Sequence, residues 1–252
     1  MTQKRDNTTR DSFLDGAITV LQPQKGYRAA TDPVFLAACI PAKAGQSVLE
    51  MGCGVGVGML CLEKRVPGLL ITGLELQEYY AKLAQENIVL NASTARVVQG
   101  NLMRMPQEIS GKSYDHVLFN PPFYGVKNVS APKDAGKSLA YVMDLEIKDW
   151  IEVGLKRLKP KGRISFIHRT EILPEALSCL NRVAGDIRIK PLASRTDHAA
   201  KRVLITARKG TKGPASLLAP LIIHKSEDHL LDTGEYSATA QAILREGHAL
   251  IL

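Results

Sequence analysis

No apolar run in this sequence reaches the roughly 20 residues that a membrane-spanning helix needs. The opening stretch, MTQKRDNTTRDSF, is polar and has no apolar signal core. The four cysteines (Cys39, Cys53, Cys61 and Cys179) show neither C-x-x-C spacing nor a disulfide framework. They read as reduced, mostly buried thiols, which points to a cytoplasmic setting. The six histidines form no H-x-x-x-H or H-E-x-x-H pair, so no metal site is expected. A glycine-rich stretch is present, but Val57 stands where the dinucleotide pattern G-x-G-x-x-G requires glycine. The Gly-Lys-Ser/Thr of a phosphate loop is also missing. There is no internal repeat.

What remains is a chain able to build a core. Hydrophobic residues make up 45% and charged residues 23% of 252 positions. That length suits one large domain or a domain with appendages. The net charge of +8 permits a polyanionic partner. Residues 1–12 read as a flexible basic arm with Lys4, Arg5 and Arg10. Residues 13–46 read as a strand and helix ahead of a core at 47–209. Residues 210–252 read as a strand-helix extension.

The most informative stretch is Asp115–Tyr124, in which an apolar run enters Asn120-Pro121-Pro122-Phe123. The run reads as a buried strand. Two prolines end it, since neither donates to a ladder. The Asn120 amide oxygen and the Pro121 carbonyl can each accept one hydrogen of an exocyclic amine. Phe123 or Tyr124 can stack on the attached ring. A plain proline-rich strand exit is the competing reading.

Upstream motifs separate the two. Ser47–Met51 reads as a strand, and Gly52-Cys-Gly-Val-Gly-Val-Gly58 opens a helix. The pattern is Glu-x-Gly-x-Gly-x-Gly, with Glu50 near the strand end. An acid there disfavours a pyrophosphate and favours a ligand carrying positive charge. The next strand, 69–76, ends at Glu75, placed to accept from two ribose hydroxyls. The third, 95–102, ends at Asn101, where an adenine edge would lie. Further strands are expected at 162–168, 187–192, 203–208 and 221–224, with helices at 33–40, 79–91, 144–159, 173–183 and 236–245. Asp32 is the expected N-cap of the first helix. Ligands in such sheets sit beyond the carboxyl ends of the strands.

These motifs resemble the class I S-adenosylmethionine-dependent methyltransferases of the small-domain group. Gly26-Tyr-Arg-Ala-Ala-Thr-Asp32, Leu49–Gly56, Leu74-Glu75, Gly100-Asn101, Asn120–Phe123, Lys201–Leu204 and the 236–246 helix carry the likeness. Within the group the chain resembles the bacterial tRNA adenine-N6 methyltransferases that modify the adenine beside the anticodon of a valine tRNA. The resemblance implies an α/β, Rossmann-like fold with a seven-stranded, mostly parallel sheet. Its last strand is antiparallel and helices cover both faces. It also implies S-adenosylmethionine as cofactor and RNA, tRNA foremost, as partner. Asn101 departs from the family, where many members carry Asp.

By resemblance, Gly52, Cys53, Gly54 and Gly56 lie under the methionine moiety, with Glu50 facing its ammonium. Glu75 and Leu76 bind the ribose, and Asn101 with Leu102 the adenine. Arg28 and Thr31 lie near the methionine carboxylate. Asn120, Pro121, Pro122 and Phe123 hold the target amine and base. If the last strand is antiparallel, loop 194–202 returns to the active edge. Arg195, Lys201 and Arg202 then face RNA, with Lys127, Lys133 and Lys137 of the glycine- and lysine-rich stretch 125–140. The denser basic run from Lys156 to Arg163 reads as a solvated face. A guanine-N2 rRNA enzyme, a protein glutamine-N5 enzyme and a non-catalytic RNA-binding module remain alternatives.

Overall fold

The computed structural model describes residues 7–123, 145–225 and 235–252. Lys127, Lys133 and Lys137 lie outside them. The first two strands, β1 (Thr8–Phe13) and β2 (Ile18–Pro23), form an antiparallel hairpin. Thr8–Phe13 is thus a paired strand where a loose arm was expected. Its polar sequence gives no apolar periodicity. It is held instead by pairing and by Asp11, which accepts from Arg28 and Gln22.

The main sheet contains β3 (Ser47–Met51), β4 (Leu70–Glu75), β5 (Arg96–Gln99), β6 (Tyr114–Phe119), β7 (Leu158–Arg169), β8 (Ala184–Ala193) and β9 (Arg202–Lys209). Their order is β8-β9-β7-β6-β3-β4-β5. Strands β3 to β7 pair in parallel, and β9 runs antiparallel to both β7 and β8. Two short strands unforeseen as a pair, β10 (Ser216–Leu217) and β11 (Leu221–Ile222), extend the β8 edge in parallel. The class I methyltransferase arrangement is therefore present, with two extra strands at one edge.

Side-chain alternation assigns each face its helices. On one face Val48, Ile71, Leu118 and Leu204 meet α1 (Asp32–Cys39), α2 (Val57–Arg65), α3 (Glu78–Leu90) and the last helix. On the other, Leu49, Met51, Val117 and Phe166 meet α4 (Gln107–Ser110), α5 (Ile147–Arg157) and α6 (Leu173–Asn181). The last helix is α7 (Ala238–Glu246), capped by the Ser237 hydroxyl. Among the described residues no helix is long and apolar enough to cross a membrane.

The hairpin is fastened by α3 in an unusual way. Asn87 accepts from the Leu21 N–H at 2.7 Å and donates to its carbonyl at 3.0 Å. Asn91, one turn on, does the same for Thr19. Two side-chain amides four residues apart thus stand in for a neighbouring strand. Asn87, fully buried, also donates to the Val55 carbonyl inside the glycine turn. Hairpin, helix and turn are locked together, and the segment after β2 is set across the carboxyl ends of β3 and β4.

Candidate functional site

Parallel strands β3, β4, β5 and β6 end at one edge, and a cleft of about 840 Å³, its open mouth included, lies beyond them. Gly52, Gly54, Glu75, Leu76, Gly100, Leu102, Asn120 and Pro122 line it. Tyr27, Gln77, Tyr80, Leu145 and Trp150 complete the walls.

The turn after β3 owes its shape to left-handed glycines: φ is +68° at Gly52 and +55° at Gly54. Space also demands glycine at 52, where a Cβ would lie 2.9 Å from the Trp150 ring. The turn is pinned to β4 by Gly52 and Cys53 N–H groups donating to the Leu74 carbonyl at 2.7 and 3.1 Å. Gly56 lies deeper, preceding α2, and Cys53 is buried against Gly73.

Two acids flank this turn. Glu75 is 7% exposed and accepts from the Gly54 N–H at 3.0 Å and the Gln77 N–H at 2.9 Å. Burial raises its pKa despite those bonds. Glu50 has the parity of Val48, so it faces the start of α2, where the Met59 N–H favours its ionised form. Burial pushes its pKa up to about 8. Among the described residues its Oε2 has no hydrogen-bond partner. A Cβ at Gly58 would overlap Glu50 Oε1, so that glycine makes room for the carboxyl group. Glu50 lines a smaller recess beside the cleft, shared with Tyr27, Gly52, Cys53 and Asn120.

At the end of β6, Phe119 stacks on Phe166 with centroids 4.9 Å apart and packs on Trp150 at 5.6 Å. Asn120 follows on the opposite parity and borders both cavities. Among the described residues nothing hydrogen-bonds its side-chain amide. Pro121 is buried and Pro122 lines the cleft. The Phe123 ring meets His168 at 5.0 Å and 72°.

Five expected site residues lie elsewhere or do other work. Arg28 is bound to Asp11, Thr9 and the Pro23 carbonyl, on the hairpin. Thr31 precedes α1 without a side-chain cap bond and faces a separate cavity with Tyr236 and Arg245. Asn101 Oδ1 accepts from Met103 and Arg104 N–H groups, so its side chain closes a turn while Gly100 and Leu102 reach the cleft. Arg195 is 6% exposed, so it offers little surface to an RNA backbone. Arg202 pairs with Asp32, the first residue of α1. Asp32 therefore anchors β9 rather than capping its helix. Lys201 is exposed and directly precedes β9, at the active edge.

Tyr27, Tyr80 and Trp150 escaped the sequence reading. Tyr27 donates its backbone N–H to the Tyr80 hydroxyl at 2.9 Å, and its ring covers Gly54. The available signal was its place inside Gly26–Asp32. Trp150, the sole tryptophan, sits on the buried face of an amphipathic helix and has no motif to mark it.

The comparisons agree with this geometry. The family described as "Methyltransferase small domain" matches residues 30–190. A "tRNA1(Val) (adenine(37)-N6)-methyltransferase" of Dickeya chrysanthemi is 26% identical over 230 residues, 87% of each chain. One of the same name from Glaesserella parasuis is 30% identical over 139 residues, 54% of this chain and 57% of that protein. Among solved structures, a predicted O-methyltransferase from Agrobacterium tumefaciens superposes with a TM-score of 0.71 at 21% identity, covering 88% of this chain and 99% of that one. The T. thermophilus 16S rRNA N2 methyltransferase, in complex with AdoMet and guanosine, gives 0.54 at 16% identity, covering 80% and 50%. With its family pattern running through more than half its length, the chain belongs to the methyltransferase small domain family.

Proposed function

We propose that this chain transfers the methyl group of S-adenosylmethionine to the exocyclic N6 amine of an adenine in tRNA. One observation carries the reading: a glycine-floored cleft with a buried acid on β4 opens directly onto an Asn120 amide that no described residue engages. The names of the relatives support adenine N6 and tRNA.

The residues present fit the cofactor. The Glu75 carboxylate keeps acceptor capacity beyond its backbone bonds, enough for a pair of ribose hydroxyls. Glu50 Oε2, buried and unpartnered, suits a cationic group. Gly52 and Gly54 permit close backbone approach. When bound, the cofactor supplies an electrophilic methyl group on a positively charged sulfur. Asn120 Oδ1 and the Pro121 carbonyl accept the two amine hydrogens and hold the nitrogen in line. Its lone pair is conjugated with the ring, and two acceptors favour the pyramidal, charge-developing form of the transition state. No strong base is required, because the proton leaves to water after transfer. An aromatic wall at Phe123 stacks the base, which must be unpaired or flipped.

Tritium transfer from labelled cofactor to total RNA of a deletion strain, followed by nucleoside analysis, tests the reading. N6-methyladenosine in the tRNA fraction is expected. N2-methylguanosine or label in protein would overturn it. Glu75→Ala is expected to weaken S-adenosylhomocysteine binding by roughly 1.5 to 3 kcal/mol, measured by calorimetry.

A further inference from the structure

The reaction as described leaves the end of β7 unused, although it borders Phe123. Arg169, the last residue of β7, is exposed, and its guanidinium carbon lies over the Phe123 ring, 5.8 Å from the centroid. Arginine stacked on an aromatic face still offers the donor edge of its planar fork. That edge suits a phosphate, which accepts it bidentately. The neighbouring strand contributes a second cation. Arg169 lies opposite Arg202 in the β7–β9 register, and the Thr170 N–H donates to the Lys201 carbonyl at 3.3 Å. Lys201 therefore lies one residue beyond the Arg169–Arg202 pair, at the same end of the sheet.

Charge accounting separates these two from their neighbours. Arg202 is neutralised by Asp32, and Arg195 is buried. Among the described residues no carboxylate lies within ion-pair distance of Arg169 or Lys201. His168 adds no charge of its own. Burial holds its pKa down to about 4, and its Nδ1 accepts the Arg169 N–H at 2.8 Å. The neutral imidazole braces Phe123, while Glu171 is the nearby acid acting on it.

We propose that Arg169 and Lys201 form a phosphate clamp at the cleft mouth, gripping the RNA backbone beside the nucleotide whose base rests on Phe123. The clamp rests on the RNA reading above. It moves the backbone contact from Arg195 and Arg202 to a pair of cations free to make it.

The test is fluorescence anisotropy of an unmodified tRNA transcript across a potassium chloride series, with S-adenosylhomocysteine binding measured alongside. Each phosphate contact adds about 0.7 to 0.9 to the slope of log affinity against log salt. The double variant Arg169→Gln, Lys201→Gln is expected to lower that slope by about 2 and affinity by roughly tenfold or more. Its S-adenosylhomocysteine binding is expected to match the parent. Glu171→Gln is expected to bind RNA more tightly, and Lys156→Gln with Lys212→Gln to keep the parent slope. A steep parent slope that the double variant retains overturns the clamp and leaves the RNA reading standing. A parent that binds no RNA overturns the RNA reading and the clamp with it. Should the double variant not fold, Lys201→Gln alone decides, with an expected slope change of about 1.

Discussion

The two edges of the main sheet carry similar side chains and treat them in opposite ways. At the amino edge the charges close on one another. Asp115 accepts from the Ser47 N–H, the Ser47 hydroxyl and Lys159, at 2.8, 2.7 and 2.8 Å. Asp186 pairs with Arg163 at 2.5 Å and Arg188 at 3.1 Å, and Lys209 donates to the Leu158 carbonyl at 2.8 Å. Buried Tyr114 and His116 keep one unpartnered atom each, but both groups are neutral at ordinary pH. At the carboxyl edge, among the described residues, the unpartnered buried atoms that border the two cavities belong to Glu50, an acid, and to Trp150 on the cleft wall. Asn120 has an amide that nothing described engages. Density of charge marks neither edge as functional. Unsatisfied polar capacity beside a cavity does.

The comparison breaks most visibly at Asn120. Asn120→Ala removes an acceptor without touching β6 or the glycine turn. Turnover is expected to fall by roughly 100-fold or more, as for loss of one preorganised transition-state contact. S-adenosylhomocysteine affinity is expected to stay within about tenfold of the parent. Single-turnover methylation beside cofactor titration reads both, and parent-rate methylation would reduce the motif to a strand exit.

Glu50 sharpens the contrast through pH. The unfolded chain ionises it near 4.5, whereas the folded chain holds its proton until about 8. The unfolded state binds fewer protons in that window, so the ligand-free protein loses stability as pH rises through it. Glu50→Gln is expected to remove this loss, stabilising the ligand-free protein near pH 7 by on the order of 2 to 3 kcal/mol. The same change is expected to weaken cofactor binding. Denaturant unfolding across the window checks it. Parallel stability curves for parent and variant would show that Glu50 is not held protonated.

The amino edge gives a smaller effect of another kind. Asp115→Ala is expected to lower stability by roughly 1 to 3 kcal/mol while leaving turnover of the folded enzyme unchanged. Burial pushes the Asp115 carboxyl up, but hydrogen bonds from Lys159 and Ser47 outweigh it and hold the pKa at about 2, below the usual 3.8. Its contribution is therefore complete above the usual value and is lost as pH falls through about 2. Acid unfolding of parent and variant should converge there. A variant as stable as the parent near neutral pH would show that this edge is not self-supporting.

The sheet was legible because parallel strands buried on both faces read as apolar runs, and Glu75 and Asn120 stand where those runs stop. Glycine position was legible too, since Gly52 and Gly54 need a left-handed backbone. Charged partners were not. Nothing near Arg202 in sequence points to Asp32, 170 residues earlier. The burial of Arg195 is likewise set by tertiary packing. The β1 strand was hidden for a different reason. Its stability comes from Asp11–Arg28 and the hairpin ladder, and neither leaves a hydrophobic pattern.

The pairing of Asp32 with Arg202 also bears on the order in which the chain is made. The cleft floor, from β3 to β6, is complete once residue 119 has emerged. Its roof support is not. Helix α1 follows the Tyr27 segment; it packs on α2, takes two bonds from Arg65 to the Ala37 and Ile40 carbonyls, and receives its last ties from Arg202 and from the Leu250 N–H, which donates to the Ala38 carbonyl. A growing polypeptide thus has the strand edge of the cleft long before α1 receives its last two ties. The residues from Arg202 onward therefore complete the support of α1 and supply none of the residues that line the cleft.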